Sequence, residues 1–305
     1  MKDSSAEGIL AGGVGSSARG GFIGHIHARN VANADNVLIS RSTANVTVKS
    51  GMVENNEDPR TGNRAGGFIG SIAGTNIDIV YSSARGDVYA HSAAGGFIGE
   101  SAEQRTAGRG VHITRSYSTG NVYIAANHAG GFIGRIGNNA KVDIRECFSR
   151  SNVNTIGNQN QHSGGFVGVI MAPTVIHDSF ATGRVEGITA SGLGGFIGQF
   201  WNIAAMVNTE IYFSYAAGEI IGNGGGFIGH APAESFQGGE NVFNTTTTRR
   251  TTAAGAGVGA PMINIRSELV RGITDEQMRT APLKPSWFAR GIWQFEEGEW
   301  PTLGF

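Results

Sequence analysis

The chain has 305 residues, a formal net charge of −1 and 15% charged residues, a balance that excludes the basic footprint of nucleic-acid binding or anionic-membrane binding. No apolar run approaches about 18 residues, so a transmembrane helix and membrane insertion are not predicted. Glycine, with 49 residues, is about twice as frequent as in average proteins, and repetition rather than disorder explains much of the excess.

A five-residue word, Gly-Gly-Phe-Ile-Gly, recurs seven times, with Val167 replacing Ile in the fifth copy. Successive copies start 46, 29, 35, 34, 30 and 31 residues apart. A fixed word at this period is typical of a solenoid, a propeller or another array of small repeats. On a flat strand Phe and Ile would face opposite ways, which predicts a kink between them or burial on both faces. The phenylalanines are Phe22, Phe68, Phe97, Phe132, Phe166, Phe196 and Phe227.

A second word lies between the glycine words and is clearest at Ser116–Val122. An aliphatic residue stands three positions before its first residue, a small residue four positions after it and an aliphatic residue six positions after it. The β-branched residues favour a half-buried pleated surface, and the small residue indicates a turn or bulge. The other copies are Ser40–Val46, Ser82–Val88, Cys147–Val153, Ser179–Val185 and Ser214–Ile220. The last aliphatic position includes Val88, Val122, Val153, Val185 and Ile220.

Together the two words predict an all-β fold, a parallel β-solenoid (β-helix) of about seven coils, each with three short strands in about 30 residues. At a strand spacing of about 4.8 Å, seven coils form a rod on the order of 34 Å long. Equivalent residues then stack as ladders, including an aromatic ladder of Tyr117, Phe148, Phe180 and Tyr215. A propeller is the alternative, but a blade needs four strands in about 40–50 residues.

The first residues match the middle of a unit, because Asp3–Leu10 aligns with Asp178–Val185. We therefore expect the chain to begin in mid-coil, as a piece of a longer protein or with an N-terminal edge that meets a partner. No charged-then-apolar leader is present, so no signal peptide is predicted in this piece.

The longest insertion, residues 47–65, is the predicted binding site, because long loops carry function more often than regular coils do. Its acidic residues Glu54, Glu57 and Asp58 are the candidate binding residues. A solvated acidic loop or a weak cation site is the alternative, and both are favoured over catalysis.

The repeat decays after Gly229, and Asn241–Asn244 is interpreted as a degenerate last coil. The solenoid is assigned to residues 1–250, and residues 251–305 to a linker and a capping segment. Thr274–Met278 has the N-cap residue and acidic first turn of a helix start. Three tryptophans are predicted to form an aromatic cap over the last coil: Trp287, Trp293 and Trp300.

The sequence shows no His-Glu-x-x-His motif, no Gly-x-Ser-x-Gly elbow and no recurring acidic column. His25 and His27 would share one face of a strand, but a third metal ligand is not evident, and solvated surface histidines are the favoured interpretation. Arg85–Asp87 spells an integrin-type tripeptide, and Cys147 occupies the serine column as a small half-buried residue. No catalytic residue, metal site or cofactor is predicted.

The glycine word followed by a Ser116–Val122-type word resembles the GLUG motif of bacterial surface proteins, with Phe in place of the commoner Leu. That motif occurs in large adhesin-like proteins and in surface immunoglobulin A proteases of Gram-positive bacteria. The resemblance covers roughly residues 3–250. Thr274–Met278, Trp293–Phe295 and Trp300–Leu303 resemble the segment that often closes such arrays. The resemblance implies a repeat scaffold and no particular activity.

The expected function is that of a non-catalytic repeat module of a cell-surface or secreted bacterial protein. It would act as an adhesin or stalk that presents loops to a host-surface protein, a glycan or neighbouring domains. The alternative is an accessory segment of a large surface protease or polysaccharide-acting enzyme whose catalytic domain lies outside this chain. Binding of ice or crystalline polysaccharide would need an outward Thr or aromatic ladder, which Tyr123, Asn154 and Glu186 do not form.

Overall fold

The computed structural model describes residues 1–12, 15–27, 36–50, 62–74, 76–102, 110–157, 162–187, 192–255, 263–280, 287 and 290–305. These residues form a parallel β-solenoid in which the strands of each coil pair with their equivalents in the next coil, so the predicted fold class is confirmed. Three of its parallel sheets have seven strands each and the fourth has fourteen. None of the helices within the described ranges is long and apolar enough to cross a membrane.

Each sheet runs along the axis of the stack, and the four sheets are named A to D in the order in which a coil visits them. Sheet A contains Val37–Ser40, Ile77–Val80, Val111–Thr114, Val142–Arg145, Thr174–His177, Glu210–Tyr212 and Gln237–Gly239. The first row of sheet B contains Ser83–Ala84, Tyr117–Ser118, Phe148–Ser149, Phe180–Ala181, Tyr215–Ala216, Asn241–Asn244 and Val270–Ile273. Its second row contains Val88–Ala90, Val122–Ile124, Val153–Thr155, Val185–Glu186 and Ile220–Ile221, and both rows join in Ser5–Gly12 and Thr43–Ser50.

The glycine word forms the other two sheets. Sheet C contains Gly15–Gly20, Gly62–Gly66, Ala93–Gly95, His128–Gly130, His162–Gly164, Gly192–Gly194 and Gly224–Gly225. Sheet D contains Ile23–His27, Ile69–Ala73, Ile98–Ser101, Ile133–Ile136, Val167–Ile170, Ile197–Phe200 and Ile228–His230. The remaining elements are an antiparallel pair, Trp293–Gln294 and Thr302–Leu303, and three short helices, Ile203–Val207, Thr245–Thr248 and Asp275–Thr280.

Most coils thus contain five short strand segments rather than the predicted three. The glycine word is divided between sheets C and D by a bend at its second Gly and its Phe, and the second word is divided by its small residue. A Cβ on Gly130 would overlap the carbonyl oxygen of Ile133, so this bend requires glycine. The bend turns Phe and the following Ile toward one core, which settles the two sequence-based alternatives in favour of a kink.

The phenylalanine ladder is the centre of the larger core. Neighbouring rings stack 4.7–4.9 Å apart from Phe22 to Phe227, with interplanar angles of 3–17°. The rings after the half-buried Phe22 are fully buried. Burial of each such side chain stabilises the fold by about 1.5–3 kcal/mol.

A second, smaller core lies between sheet C and the second row of sheet B. It contains the predicted rungs Val88, Val122, Val153, Val185 and Ile220, all nearly inaccessible to solvent. These rungs pair directly with one another from coil to coil. The predicted burial is therefore confirmed for these aliphatic rungs and for the phenylalanines from Phe68 to Phe227, but not for Phe22.

The serine that opens the second word forms a hydrogen-bond ladder. The backbone N–H of Ser82 donates to Oγ of Ser116 in the next coil at 3.1 Å, and Oγ of Ser82 donates to the carbonyl of Val80. The buried Ser42 and Ser179 make the same pair of bonds, whereas the N–H of Ser214 donates to the amide oxygen of Asn241. At Cys147 a thiol, which is a weak acceptor, takes the place of the hydroxyl.

In one copy of this word the predicted register is wrong by two residues. Ser42, not Ser40, is equivalent to Ser82, because the N–H of Ser42 donates to Oγ of Ser82 and Val48 pairs with Val88. Side chains on a strand alternate with a period of two, so a two-residue shift keeps apolar residues on the same face. The apolar pattern alone therefore did not distinguish the two registers.

The residue before each anchor residue adopts a left-handed conformation and turns the chain from sheet A to sheet B. The φ angles of these residues lie between 47° and 58°. Such a conformation costs a non-glycine residue about 1–2 kcal/mol, so the stacked coils must hold it in place. The column contains Asp3, Arg41, Tyr81, Arg115, Glu146, Asp178, Phe213 and Glu240.

The helix start was predicted correctly, and Asn241–Asn244 belongs to the stack, but it is not the last strand, because Val270–Ile273 pairs with it in parallel beyond the assigned end at residue 250. Asn241–Asn244 continues the first row of sheet B and pairs in parallel with Tyr215–Ala216. Thr274 caps the helix Asp275–Thr280 through a reciprocal pair of bonds with Gln277, N–H to Oγ1 at 3.1 Å and N–H to Oε1 at 2.9 Å.

The tryptophans pack on the flank of the stack, which corrects their predicted position over the last coil. The strand Val270–Ile273 follows Asn241–Asn244 in sheet B and contributes Val270 to the large core. Trp287 and Trp293 join a third cluster that contains Val242 and Ile273 of the last strands and also Phe180 and Tyr215 of earlier coils.

Candidate binding cleft

The predicted acidic site lies outside the described residues. Glu54, Glu57 and Asp58 fall in residues 51–61, so their binding role stays a prediction. The ends of the predicted 47–65 loop are strand: Thr43–Ser50 belongs to sheet B and Gly62–Gly66 to sheet C. The insertion between these strands is therefore shorter than the sequence suggested.

An aromatic ladder on the outer surface of sheet B is the feature from which the candidate site is built. Tyr117, Phe148, Phe180 and Tyr215 stack at 4.8, 4.8 and 4.9 Å, with rings within 3° of parallel. The rings face outward because the next residues along two of these strands, Ala181 and Ala216, belong to the large core. Tyr117 and Phe148 are half-buried, whereas Phe180 and Tyr215 are covered.

Residues 290–305, named here the C-terminal strap, cover the upper half of this ladder. Arg290 donates to both carboxylate oxygens of Asp178, at 3.0 and 2.6 Å, and the indole N–H of Trp293 donates to the same carboxylate at 3.1 Å. The Asp178 side chain is 2% exposed. A buried carboxylate with three such donors anchors the strap to the corner of the stack.

The strap extends back along the stack, against the direction in which the coils grow. The hydroxyl of Tyr215 donates to the carbonyl of Pro301 at 2.7 Å, and burial raises the pKa of that hydroxyl. Phe305 reaches Phe148 at 6.0 Å and Tyr81 at 6.5 Å, several coils before the last one. The strap therefore ties together coils that do not contact one another directly.

Between the strap and sheet B lies an open cleft with a volume of about 570 Å³. This volume is within the range of about 300–1,000 Å³ that small-molecule sites usually have. Sheet B contributes Arg150, Phe180, Thr182 and Tyr215, and the C-terminal residues contribute Arg279, Glu296, Glu299, Trp300 and Thr302.

Hydrogen bonds fix one end of the cleft. Arg279 donates to Asp275 at 2.8 Å and to the carbonyl of Gly298 at 2.8 Å, and its guanidinium lies 5.0 Å from the ring centre of Trp300. The indole N–H of Trp300 donates to Asp275 at 2.7 Å. Burial alone would raise the pKa of Asp275, but hydrogen bonds from Arg279, Trp300 and Asn244 lower it below its usual value. Trp300 and Arg279 are thus held in position before any ligand arrives.

Two charged side chains of the cleft have no ion-pair partner among the described residues. The guanidinium of Arg150 lies 5.2 Å from the ring centre of Phe148 and has no carboxylate partner among the described residues. Glu296 lines the opposite wall, is exposed, and likewise has no cationic partner within the described part of the chain. One cation and one anion therefore face the cleft and are available to a ligand.

The integrin-type tripeptide is engaged in the coil stack. Arg85 donates to the hydroxyl of Tyr117 at 2.5 Å, and Asp87 accepts the backbone N–H of Asn121 at 2.8 Å. Asn121 in turn accepts from Asn152 of the following coil at 3.0 Å. The side chains of the tripeptide thus continue ladders between coils.

The structure also describes the environment of the predicted histidine pair and of the single cysteine. His25 and His27 stack 5.5 Å apart at the first coil, and burial lowers the pKa of His25. Cys147 is fully buried rather than half-buried as predicted, and burial raises the pKa of its thiol. Over the ranges that the structure describes, no group of three His, Cys, Asp or Glu side chains could hold a metal ion.

Sequence reasoning missed a polar column between sheets C and D. Glu100 is fully buried between Arg64 and Arg135, with which it forms ion pairs. His128 and His162 stack 5.9 Å apart, and burial lowers their pKa values to about 3 and about 4. Arg64, His128 and His162 each stand two positions before a glycine word, whereas Glu100 and Arg135 directly follow one, so these two positions beside the glycine word were the signal available.

No family model and no curated protein matches this chain.

Proposed function

We propose that the chain is a non-catalytic repeat module of a cell-surface or secreted bacterial protein, where it serves as an adhesin or stalk that presents binding surfaces. The resemblance of its two words to the GLUG motif of bacterial surface proteins supports this location. Its partners would be a host-surface protein, a glycan or neighbouring domains of a longer chain.

The observation that carries the proposal is the contrast between the inner and outer faces of paired strands. The inner rungs repeat in each coil, for example Val122 over Val153. The outward residues paired beside them differ in size and charge from coil to coil: Lys49, Tyr89, Tyr123, Asn154, Glu186 and Ile221. A constant interior with a variable exterior suits a rod that displays surface features.

Adhesion of microspheres coated with the purified chain tests this function. We expect binding to immobilised matrix proteins or glycans above that of spheres coated with albumin. Replacement of residues 51–61 by a short turn distinguishes the insertion from the rest of the surface: loss of binding assigns adhesion to the insertion, and retention assigns it elsewhere on the rod. Failure to bind any of the surfaces would contradict the adhesin proposal.

A further inference from the structure

The cleft under the C-terminal strap has the composition of a ligand site rather than of a packing defect. Its wall includes Trp300, which is half-buried and held by its bond to Asp275. The covered rings of Phe180 and Tyr215 underlie its floor, next to Thr182. Apolar rings beside a few oriented polar groups are typical of small-molecule sites.

The charges of the cleft limit the chemistry of its ligand. Arg279 forms ion pairs with both Asp275, at 2.8 Å, and Glu299, at 3.9 Å, so these three groups are already paired with one another. The remaining groups, Arg150 on the floor and Glu296 on the wall, have opposite signs. A simple anion would meet Glu296 and a simple cation would meet Arg150, so neither is favoured by the local field.

A neutral, hydroxyl-rich ring satisfies every one of these groups. Its hydroxyls can donate to the Glu296 carboxylate and accept from the Arg150 guanidinium, and bonds of this charge-assisted kind are the strong ones. Its apolar face can lie against aromatic carbon. Thr182 and Thr302 offer further hydroxyls that can both donate and accept.

We propose that this cleft binds neutral saccharide units, with Arg150 and Glu296 as the hydrogen-bonding pair and Trp300 as the aromatic contact. The inference rests on the proposed adhesin function and specifies its ligand class and its site. It places binding on the strap side of sheet B, outside the 51–61 insertion.

Saturation-transfer NMR on the full chain tests the proposal with lactose, cellobiose and maltose as neutral probes and digalacturonate and a glucosamine dimer as charged probes. At least one neutral disaccharide should bind with a dissociation constant of about 1 mM, as expected for a small ligand in an open cleft. Arg150→Gln and Glu296→Gln should each weaken that binding about tenfold, since each removes one charge-assisted bond.

Two matched variants control for charge alone. Arg85→Gln changes an arginine in the same outer column of sheet B, and Glu297→Gln changes the exposed neighbour of Glu296; both should leave binding unchanged. Circular dichroism of all four variants should match the parent, because the substituted side chains lie at the surface.

Three outcomes overturn the proposal. They are binding of none of the neutral disaccharides, neutral binding that persists in Arg150→Gln and Glu296→Gln, and tighter binding of either charged probe than of the neutral ones. The microsphere experiment is scored separately, so adhesion to matrix proteins without saccharide binding would reject this cleft and retain the adhesin proposal.

Discussion

The solenoid interior and the C-terminal strap are stabilised in different ways. In the interior each residue contacts its equivalent one coil away, so the same contact is made repeatedly, as in the stack from Phe68 to Phe227. The strap relies on a few contacts between residues far apart in sequence, such as Arg290 with Asp178 and Tyr215 with Pro301. Repetition makes the interior predictable and redundant, whereas the strap depends on single side chains.

The largest expected effect is in the interior. Phe132→Ala removes one ring from between Phe97 and Phe166 and leaves a cavity that neighbouring coils cannot fill, since their backbones are fixed by parallel pairing. We expect the free energy of unfolding in urea to fall by about 3–5 kcal/mol. Phe305→Ala, in the exposed end of the strap, is the matched control and should cost less than about 1 kcal/mol. Equal losses would remove the distinction between the two regions.

The second-largest expected effect of a substitution is a loss of stability confined to the strap. Asp178→Asn keeps the left-handed backbone, which asparagine tolerates, but leaves Arg290 without its buried carboxylate. We expect the strap to open at a cost of about 2–4 kcal/mol, with loss of amide-exchange protection in residues 292–303 and retained protection in the coils.

Asp143→Asn is the control for this charge change. It breaks the exposed ion pair with Arg145 and should change stability by less than about 0.5 kcal/mol. If Asp178→Asn lowers protection throughout the solenoid, the strap and the interior would be one cooperative unit.

A pH titration of the free energy of unfolding tests the solenoid interior without mutation. His128 and His162 have folded pKa values of about 3 and about 4, below the usual 6.5, so the folded state resists protonation while the unfolded state accepts it. Their contribution is complete above about pH 6.5 and is lost as the pH falls toward 4. We expect a loss on the order of 4 kcal/mol between pH 7 and pH 5, about 2 kcal/mol from each histidine.

The histidine pair can be tested directly as the cause of that loss. His128→Gln/His162→Gln should flatten the pH profile over this range. Trp201 and Arg135 lie beside His128, and His230, whose pKa is also lowered by burial, lies beside His162. A profile unchanged in the double variant would assign the acid sensitivity elsewhere.

The smallest predicted effect is a gain in stability from a substitution in the solenoid interior. Cys147→Ser should complete the serine ladder, because the new hydroxyl can accept the N–H of Ser116 and donate to the carbonyl of Arg145, as Ser82 and Ser179 do in their coils. We expect thermal unfolding to show a gain of about 0.5–1.5 kcal/mol, the usual net contribution of a hydrogen bond. Cys147→Ala should give no gain, and a gain there would attribute the effect to loss of the thiol.

The sequence predicted the repeated interior better than the features that occur without a repeat or a local signal. Phe132 and Val122 were predicted as buried rungs because their equivalents recur at a fixed place, and Thr274 was predicted as a helix start because its capping signal is local. The serine register in one coil was misplaced because a two-residue shift preserves the inward face. The left-handed corners were missed because residues such as Tyr81 and Phe213 carry no local signal for that conformation.

The cleft could likewise be predicted from the sequence only in part. Phe180 and Tyr215 were predicted as part of a ladder, but the strap that covers them was placed at the end of the stack. The contact between Asp178 and Arg290 joins residues that are 112 positions apart, and it occurs once. The repeat period of the sequence therefore could not predict it. Glu296 and Trp300 line the cleft because the strap returns along the flank of the stack.

Direct stacking of equivalent residues is the central claim, and disulfide trapping tests it. In a Cys147→Ser background, Tyr89→Cys/Tyr123→Cys places two thiols on paired outward positions one coil apart, a spacing of about 4.8 Å that a disulfide can bridge. Tyr89→Cys/Asn154→Cys places them two coils apart, at about 9.6 Å, beyond the limit of about 7 Å. Rapid oxidation of the first pair and not the second is the predicted result, and oxidation of the second pair in preference to the first would contradict the stacked register.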